Sequence, residues 1–261
     1  AFPDKPGAPG QLRYALIFMT YHAPVKQLRF ALDAVANLRR LYGNSAYGEL
    51  SDDLIDAVLE EAGRFASEVI APLNRTADKD GARLENGKVI LPAGFEAAYK
   101  SFVANGWNAI TGPVEFGGQG MPHAVGVAVQ EMWQSASMAF GLCPLLSQGA
   151  IEALTAHGTP EQKRIYLPKL VEGTWTGTMN LTEPHAGSDV GALKAKAVKQ
   201  PDGSYKITGT KIFITWGEHD AAENIIHLVL ARLPEAPLGT RGISLFLVPK
   251  FMVKADGTLG A

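Results

Sequence analysis

The sequence predicts an α+β multidomain chain, an all-helical part followed by an antiparallel β-barrel domain that is incomplete at its C-terminal end. Three observations carry this reading. Apolar residues recur at helical spacing up to about Gly173. Beyond Gly173 the period shortens to 2. Short apolar runs with turn residues between them then continue to Pro249, with no further strands to close their edges. The expected divisions are an N-terminal extension at 1–48, a helical domain at 49–175 and a partial barrel at 176–261.

The opening AFPDKPGAPG has no basic segment followed by an apolar core, so it reads as a loose tail rather than a signal peptide. In SDDLIDAVLEEAGRFASEVIAPLN, Ser51 is placed to cap a helix, and Asp52 and Asp53 suit its positive end. Leu54, Ile55, Val58, Leu59, Ala62, Phe65, Ala66, Val69 and Ile70 share one face, and Pro72 is expected to stop the helix. Residues 94–105 form the next helix, closed by Gly106. Two more are expected at 122–140 and 147–157, the latter ended by Gly158. Thr159, Pro160 and Gln162 then make a capping box with proline at the first helical position. After the period changes, ALKAKAVKQ (192–200), YKIT, KIFITW, NIIHLVLARL and GISLFLVP read as five strands of an antiparallel meander, with a turn at Pro201-Asp202-Gly203. Such a meander has open edges and is expected to be part of a larger unit.

The composition excludes several function classes. Lys plus Arg number 24 against 26 Asp plus Glu, so no electrostatic footprint marks nucleic acid or an anionic membrane as a partner. The longest apolar runs, YALIFM among them, fall far short of the roughly 18 residues of a membrane helix. The single cysteine, Cys143, rules out an intramolecular disulfide and a multi-cysteine zinc site, and it fits a reducing compartment. Within FGLCPLL it reads as a small buried hydrophobe. His22, His123, His157, His219 and His227 lack metal-ligand spacing and read as structural. Dinucleotide-binding, P-loop, zinc-protease and nucleophile-elbow motifs are missing; GGQG at 117–120 lacks the third glycine and the preceding strand.

Two short stretches remain. In TEPHAGSD (182–189), Gly187 lets the backbone turn sharply and come close to a ligand, and successive N–H groups there make an anion-binding concavity. Thr182 offers a hydroxyl to a heterocycle carbonyl. A plain Asx-type turn between two strands explains the octet equally well. In KIFITWG (211–217), strand alternation places Phe213 and Thr215 on one face, an aromatic and a hydroxyl fit to stack on a flat ring and bond its edge. The same stretch also reads as an ordinary core strand.

Taken in order, HGTPEQKRIYLPKLVEG (157–173), TEPHAGSD and DGSYKITGTKIFITWG (202–217) resemble the acyl-CoA dehydrogenase family, as does the loop PVEFGGQGMP (113–122). The resemblance covers roughly residues 50–261. YHAPVKQLRFALDAV (21–35) is similar to the extra N-terminal element of a longer subgroup that includes 3-(methylsulfanyl)propanoyl-CoA dehydrogenases.

The resemblance implies a helical domain, a middle β-barrel and a C-terminal helical bundle, with FAD between barrel and bundle. By motif match, Met179, Leu181 and Thr182 line the flavin, with Thr182 on the pyrimidine edge. Gly187 and Ser188 approach the pyrophosphate, and Ser188 also the CoA part of the substrate. Phe213 lies against the ring system, where the family usually has Trp, and Thr215 bonds near N5 and O4. Met179, Asn180 and His185 depart from the residues commoner in the family at those positions. Gln130–Trp133 reads either as the floor of an acyl pocket or as an ordinary packed helix.

The implied reaction is α,β-dehydrogenation of an acyl-CoA thioester, with electrons passed to an electron-transfer flavoprotein or similar acceptor. A cytoplasmic homodimer or homotetramer working in fatty acid β-oxidation is implied with it. The family's base is a Glu on the C-terminal side, so no catalytic base is assigned among these residues, and Glu183 is read as structural. The other readings are a non-catalytic fragment or partner subunit of such an assembly, and a flavin-binding relative with a divergent role.

Overall fold

The computed structural model describes residues 21–48 and 50–260. The opening tail and YALIFM lie outside them. Helix α1 (Val25–Ala34) buries Leu28 and Leu32, and its Arg29 donates to Asp56 at 2.6 Å while also pairing with Asp33 and Asp52. That cluster fastens α1 to the head of α2 (Asp52–Phe65), where Ser51 Oγ caps the Leu54 N–H at 3.2 Å. Ile55, Leu59, Ala62 and Phe65 are buried as the spacing predicts, whereas Leu54 is exposed.

Pro72 does not stop this helix. A π-helical turn (Ala66–Ile70) leads directly into α3 (Ala71–Asp80), with Pro72 in its first turn. The wider turn falls where a regular one would bring the Glu68 carbonyl against the proline ring. A hairpin follows, β1 (Arg83–Glu85) and β2 (Lys88–Ile90), turning on Asn86 and Gly87 with φ of 50° and 78°.

Helix α4 (Phe95–Ala104) ends before Gly106, which takes φ 73°. The helices expected at 122–140 and 147–157 are instead α5 (His123–Ala136) and α6 (Met138–His157). The break falls at Ser137, which is extended, and Pro144 lies inside α6. Phe140, Cys143 and Pro144 are all buried, and this packing holds the turn that proline weakens. Helix α7 (Pro160–Glu172) starts on the expected capping box and ends at Gly173 with φ 92°. Phe102 sits at the centre of the helical core, with its ring centroid 4.7 Å from Trp133, 5.9 Å from Phe140 and 6.1 Å from Phe65. Among the described residues no helix is long and apolar enough to cross a membrane.

The strands form an open, mixed sheet rather than an antiparallel meander. Strand β6 (Asn224–Arg232) is central and pairs in parallel with β3 (Trp175–Asn180). It also pairs antiparallel with β7 (Ile243–Pro249). Past the end of β3, the same edge of β6 meets β4 (Lys196–Lys199) through Arg232, again in parallel, and β4 pairs antiparallel with β5 (Tyr205–Thr208). The long connection between β3 and β6 permits the parallel pairing that a tight turn forbids. The expected strand at 192–200 shrinks to β4, because Val190–Ala192 forms a 3-10 turn. KIFITW forms no strand at all. Helix α6 lies on β3 because Gly177 has no side chain: a Cβ there would come within 2.5 Å of Ala150 Cβ.

Candidate functional site

Strand β3 delivers the first site residues. Its alternation sends Trp175 and Gly177 toward α6 and α7 and puts Thr176, Thr178 and Asn180 on the opposite face. That second face is a buried polar ladder. Asn180 donates to Thr178 Oγ1 at 2.8 Å, and Thr178 Oγ1 in turn shares a hydrogen bond of 2.7 Å with His227 Nδ1. His219 Nδ1 accepts from Ala221 N–H at 3.2 Å, so its Nε2–H faces Thr176 Oγ1 at 3.1 Å. Burial, helped by the Lys250 charge, pushes His219 down to about 4. Burial also lowers His227. Both imidazoles are neutral structural partners, in line with the sequence reading.

Beyond β3 the chain enters TEPHAGSD. Glu183 and Ala186 exchange two backbone hydrogen bonds, of 2.9 and 3.0 Å, leaving Pro184 and His185 exposed at the tip. The Glu183 side chain is 3% exposed. Its carboxylate accepts from Lys194 N–H at 2.7 Å, from Ala195 N–H at 2.9 Å and from Lys211 Nζ at 2.9 Å. Burial pushes the carboxyl up, but these donors outweigh it and hold the group below the ordinary carboxylate range. With its oxygens engaged, Glu183 organises the loop, the structural role read from the sequence.

Lys211 also donates to Leu181 O at 3.1 Å, and Ile212 N–H donates to Thr182 O at 3.0 Å. These two bonds bring the KIFITWG segment alongside Leu181 and Thr182. The segment is irregular: Phe213 and Trp216 adopt φ of 58° and 53°. Phe213 is 88% exposed and Thr215 is exposed, while Ile214 and Trp216 are half-buried. Phe213 and Thr215 are both exposed, in a segment of left-handed residues and a turn where a pleated strand was expected.

Gly187 departs from expectation. Its φ is not in the left-handed region, and an added Cβ would meet only Thr182 Cγ2, at an ordinary 3.7 Å. No sharp turn requires glycine there; the absent side chain leaves the exposed side of the loop open. Among the described residues, the hydroxyls of Thr182, Ser188 and Thr215 and the N–H groups of Gly187, Ser188 and Asp189 bond to no protein group. Met179 and Leu181 are half-buried. The result is a strip of unpaired donors, an open glycine and an exposed aromatic ring, fit for a flat heterocycle carrying an anionic tail.

Asn180, Lys211, Ile214, Trp216 and Glu218 line a cleft of about 540 Å³ together with Val89 of the hairpin and Leu91 just after it. The roles of Lys211 and Trp216 escape a reading by sequence, since their partners lie far away along the chain. Met132 and Trp133 are buried in the aromatic core, as an ordinary packed helix places them. Burial raises the Cys143 thiol, which is inert accordingly.

Two family models match the chain and together span most of it: the acyl-CoA dehydrogenase N-terminal domain over residues 53–174 and the middle domain over 178–258. The chain is 53% identical over 239 residues to a 3-methylmercaptopropionyl-CoA dehydrogenase of Ruegeria pomeroyi, covering 92% of this chain and 41% of that protein. It is similar to the butyryl-CoA dehydrogenase structure from Megasphaera elsdenii, with a TM-score of 0.62 and 26% identity over 77% of this chain and 49% of that one. A structure of PigA with FAD and proline aligns with a TM-score of 0.60 and 25% identity, over 79% of this chain and 52% of the other. The chain spans about 40% of the length of the curated relatives it matches first.

Proposed function

We infer that this chain, which belongs to the acyl-CoA dehydrogenase family, supplies part of the FAD and substrate site of an enzyme that dehydrogenates an acyl-CoA thioester to the trans-2-enoyl-CoA. In this reading residues 49–175 are the helical domain and 176–261 contribute to a middle β-barrel, with residues 1–48 an extension. The observation that carries the reading is the backbone bond from Ile212 N–H to Thr182 O, which holds the segment bearing exposed Phe213 against the residue whose hydroxyl has no protein partner among the described residues.

FAD, when bound, supplies the hydride acceptor. Met179, Leu181 and Phe213 would flank its ring, and the hydroxyls of Thr182 and Thr215 would bond its edge. The open N–H groups of Gly187 and Ser188 would meet phosphate oxygens, with Ser188 also near the CoA part of the substrate. Glu183 is not assigned as the base for the α-carbon proton, because its carboxylate is engaged by Lys194, Ala195 and Lys211. An electron-transfer flavoprotein or similar acceptor, and a cytoplasmic homodimer or homotetramer, complete the proposal.

The test is the visible spectrum of the purified protein without oxygen, before and after a panel of acyl-CoAs. A flavin band bleached by one of them supports the dehydrogenase and names its substrate. A protein without flavin, or one whose flavin ignores every acyl-CoA, is instead a non-catalytic fragment or partner.

A further inference from the structure

We propose that Trp216 is a positioning residue that clamps the flavin-facing segment to the helical layer, a role that rests on the FAD reading above. The start of the segment is fixed by two bonds already described, Lys211 to Glu183 and Ile212 to Thr182. At its far end the segment is anchored by Trp216, with Lys250 holding Glu218 and the His219 carbonyl just beyond it. The Trp216 ring stacks on Phe95 at 6.1 Å with an interplanar angle of 18°. It meets His219 edge-on at 5.1 Å, and its Nε1–H donates to Ala139 O at 2.9 Å. Phe95 opens α4 and Ala139 lies in the first turn of α6, so one indole ties the segment to two helices.

The backbone shows what the clamp does. A bulky residue rarely adopts a left-handed φ unless its surroundings impose it. Two such aromatics occur within four positions, Phe213 at 58° and Trp216 at 53°. Phe213 is 88% exposed, so packing of its own ring does not impose that conformation. Trp216 has three directional contacts that do. Between the two anchors, the Gly217 N–H to Ile214 O bond of 3.0 Å closes the turn. Gly217 must be glycine, because a Cβ there would fall 2.9 Å from Ile214 O. Clamped in this way, Phe213 and Thr215 face outward before any flavin arrives, which lowers the ordering cost of binding.

Two readouts on the full chain test this: FAD affinity with the visible spectrum of bound flavin, and amide hydrogen exchange of residues 211–217 without flavin. Trp216→Ala is expected to weaken FAD about tenfold, the scale of a lost stack and hydrogen bond. It should also speed exchange across 211–217 while β3 and β6 stay protected. Trp216→Phe keeps the stack and should recover most of both. Trp216→Gly permits the left-handed backbone but removes the clamp, and should resemble Trp216→Ala. Wild-type exchange and affinity in Trp216→Ala would overturn the proposal, as would full recovery in Trp216→Gly, which would show that backbone conformation alone suffices. A wild-type protein that takes up no FAD would instead sink the FAD reading, while the exchange data would still decide whether Trp216 clamps the segment.

Discussion

The helical layer and the sheet beside it are held together by different physics. Around Phe102 the buried side chains are apolar and overlap: Phe65, Tyr99, Trp133 and Phe140 all have ring centroids within 6.3 Å of it. Such contacts are non-directional, and one neighbour's loss is shared among the rest. On the second face of β3 and in the loop beyond it, buried polar groups are satisfied one by one, and Thr176, Thr178, Asn180, Glu183 and His219 each have specific partners. The first region fixes how stable the molecule is. The second fixes where a few exposed groups point, and it has little redundancy.

The sharpest way to break that contrast is to damage each region once. Phe102→Ala removes a fully buried ring and is expected to cost about 4 kcal/mol of global stability in urea unfolding. Below its lowered midpoint it should retain flavin as the wild type does. Glu183→Gln keeps the shape but strips the charge that faces Lys211, whose side chain is 10% exposed, and is expected to cost about 3 kcal/mol. Here flavin retention should fall even where the protein is fully folded, because the 183–195 loop and Lys211 lose their common anchor. Equal flavin loss in both variants would erase the distinction between the layers.

Acid should also act on the sheet side first. His219, held down to about 4 by burial and the Lys250 charge, binds its proton more readily in the unfolded chain, where its value is 6.5. Stability is therefore lost as pH falls from about 6.5 toward 4, by roughly 2 kcal/mol at pH 5. Glu218, Asp220, Lys250 and His227 are the charged and titratable groups that bear on it. Glu183, held below its ordinary range, adds its own loss only at lower pH, as the carboxylate is protonated. Thermal unfolding at pH 7.5, 6 and 5 should show the first slope, and His219→Gln should flatten it. An unchanged slope in that variant would place the acid sensitivity elsewhere.

The same contrast explains what was legible in the sequence. Helix caps are local, so Ser51, the Thr159–Gln162 box and Gly173 mark boundaries by themselves. Tertiary packing decides the rest: Pro144 sits inside α6 because its neighbours are buried, and the wide turn at Ala66–Ile70 carries the chain past Pro72. The Asn86-Gly87 hairpin carries a local turn signal of the same kind. In the sheet, KIFITW has a strand's alternation, yet Lys211 and Trp216 bind partners 28 and 77 residues away and bend it. The parallel pairing of β3 with β6 likewise has no local mark. The candidate site residues fall in motifs because their proposed chemistry is local; the groups that hold those motifs in place carry no such mark, because their partners are distant.

The finest division runs within one short stretch. Thr178 and Thr182 carry the same side chain. Thr178 is 1% exposed and its hydroxyl links Asn180 to His227. Thr182 is partly exposed, and its hydroxyl has no protein partner among the described residues. Valine replaces either one at nearly constant shape, so the hydroxyl alone is tested. Thr178→Val leaves a buried amide and imidazole short of a partner and is expected to cost about 2 kcal/mol of stability with FAD affinity unchanged. Thr182→Val removes nothing the protein itself uses, so its melting temperature should match the wild type. It should weaken FAD about tenfold, close to 1.4 kcal/mol, because the hydrogen bond from its hydroxyl to the ring edge is lost. If Thr182→Val instead lowers the melting temperature and leaves FAD untouched, the hydroxyl belongs to the fold, and the strip beside Phe213 is not the flavin edge.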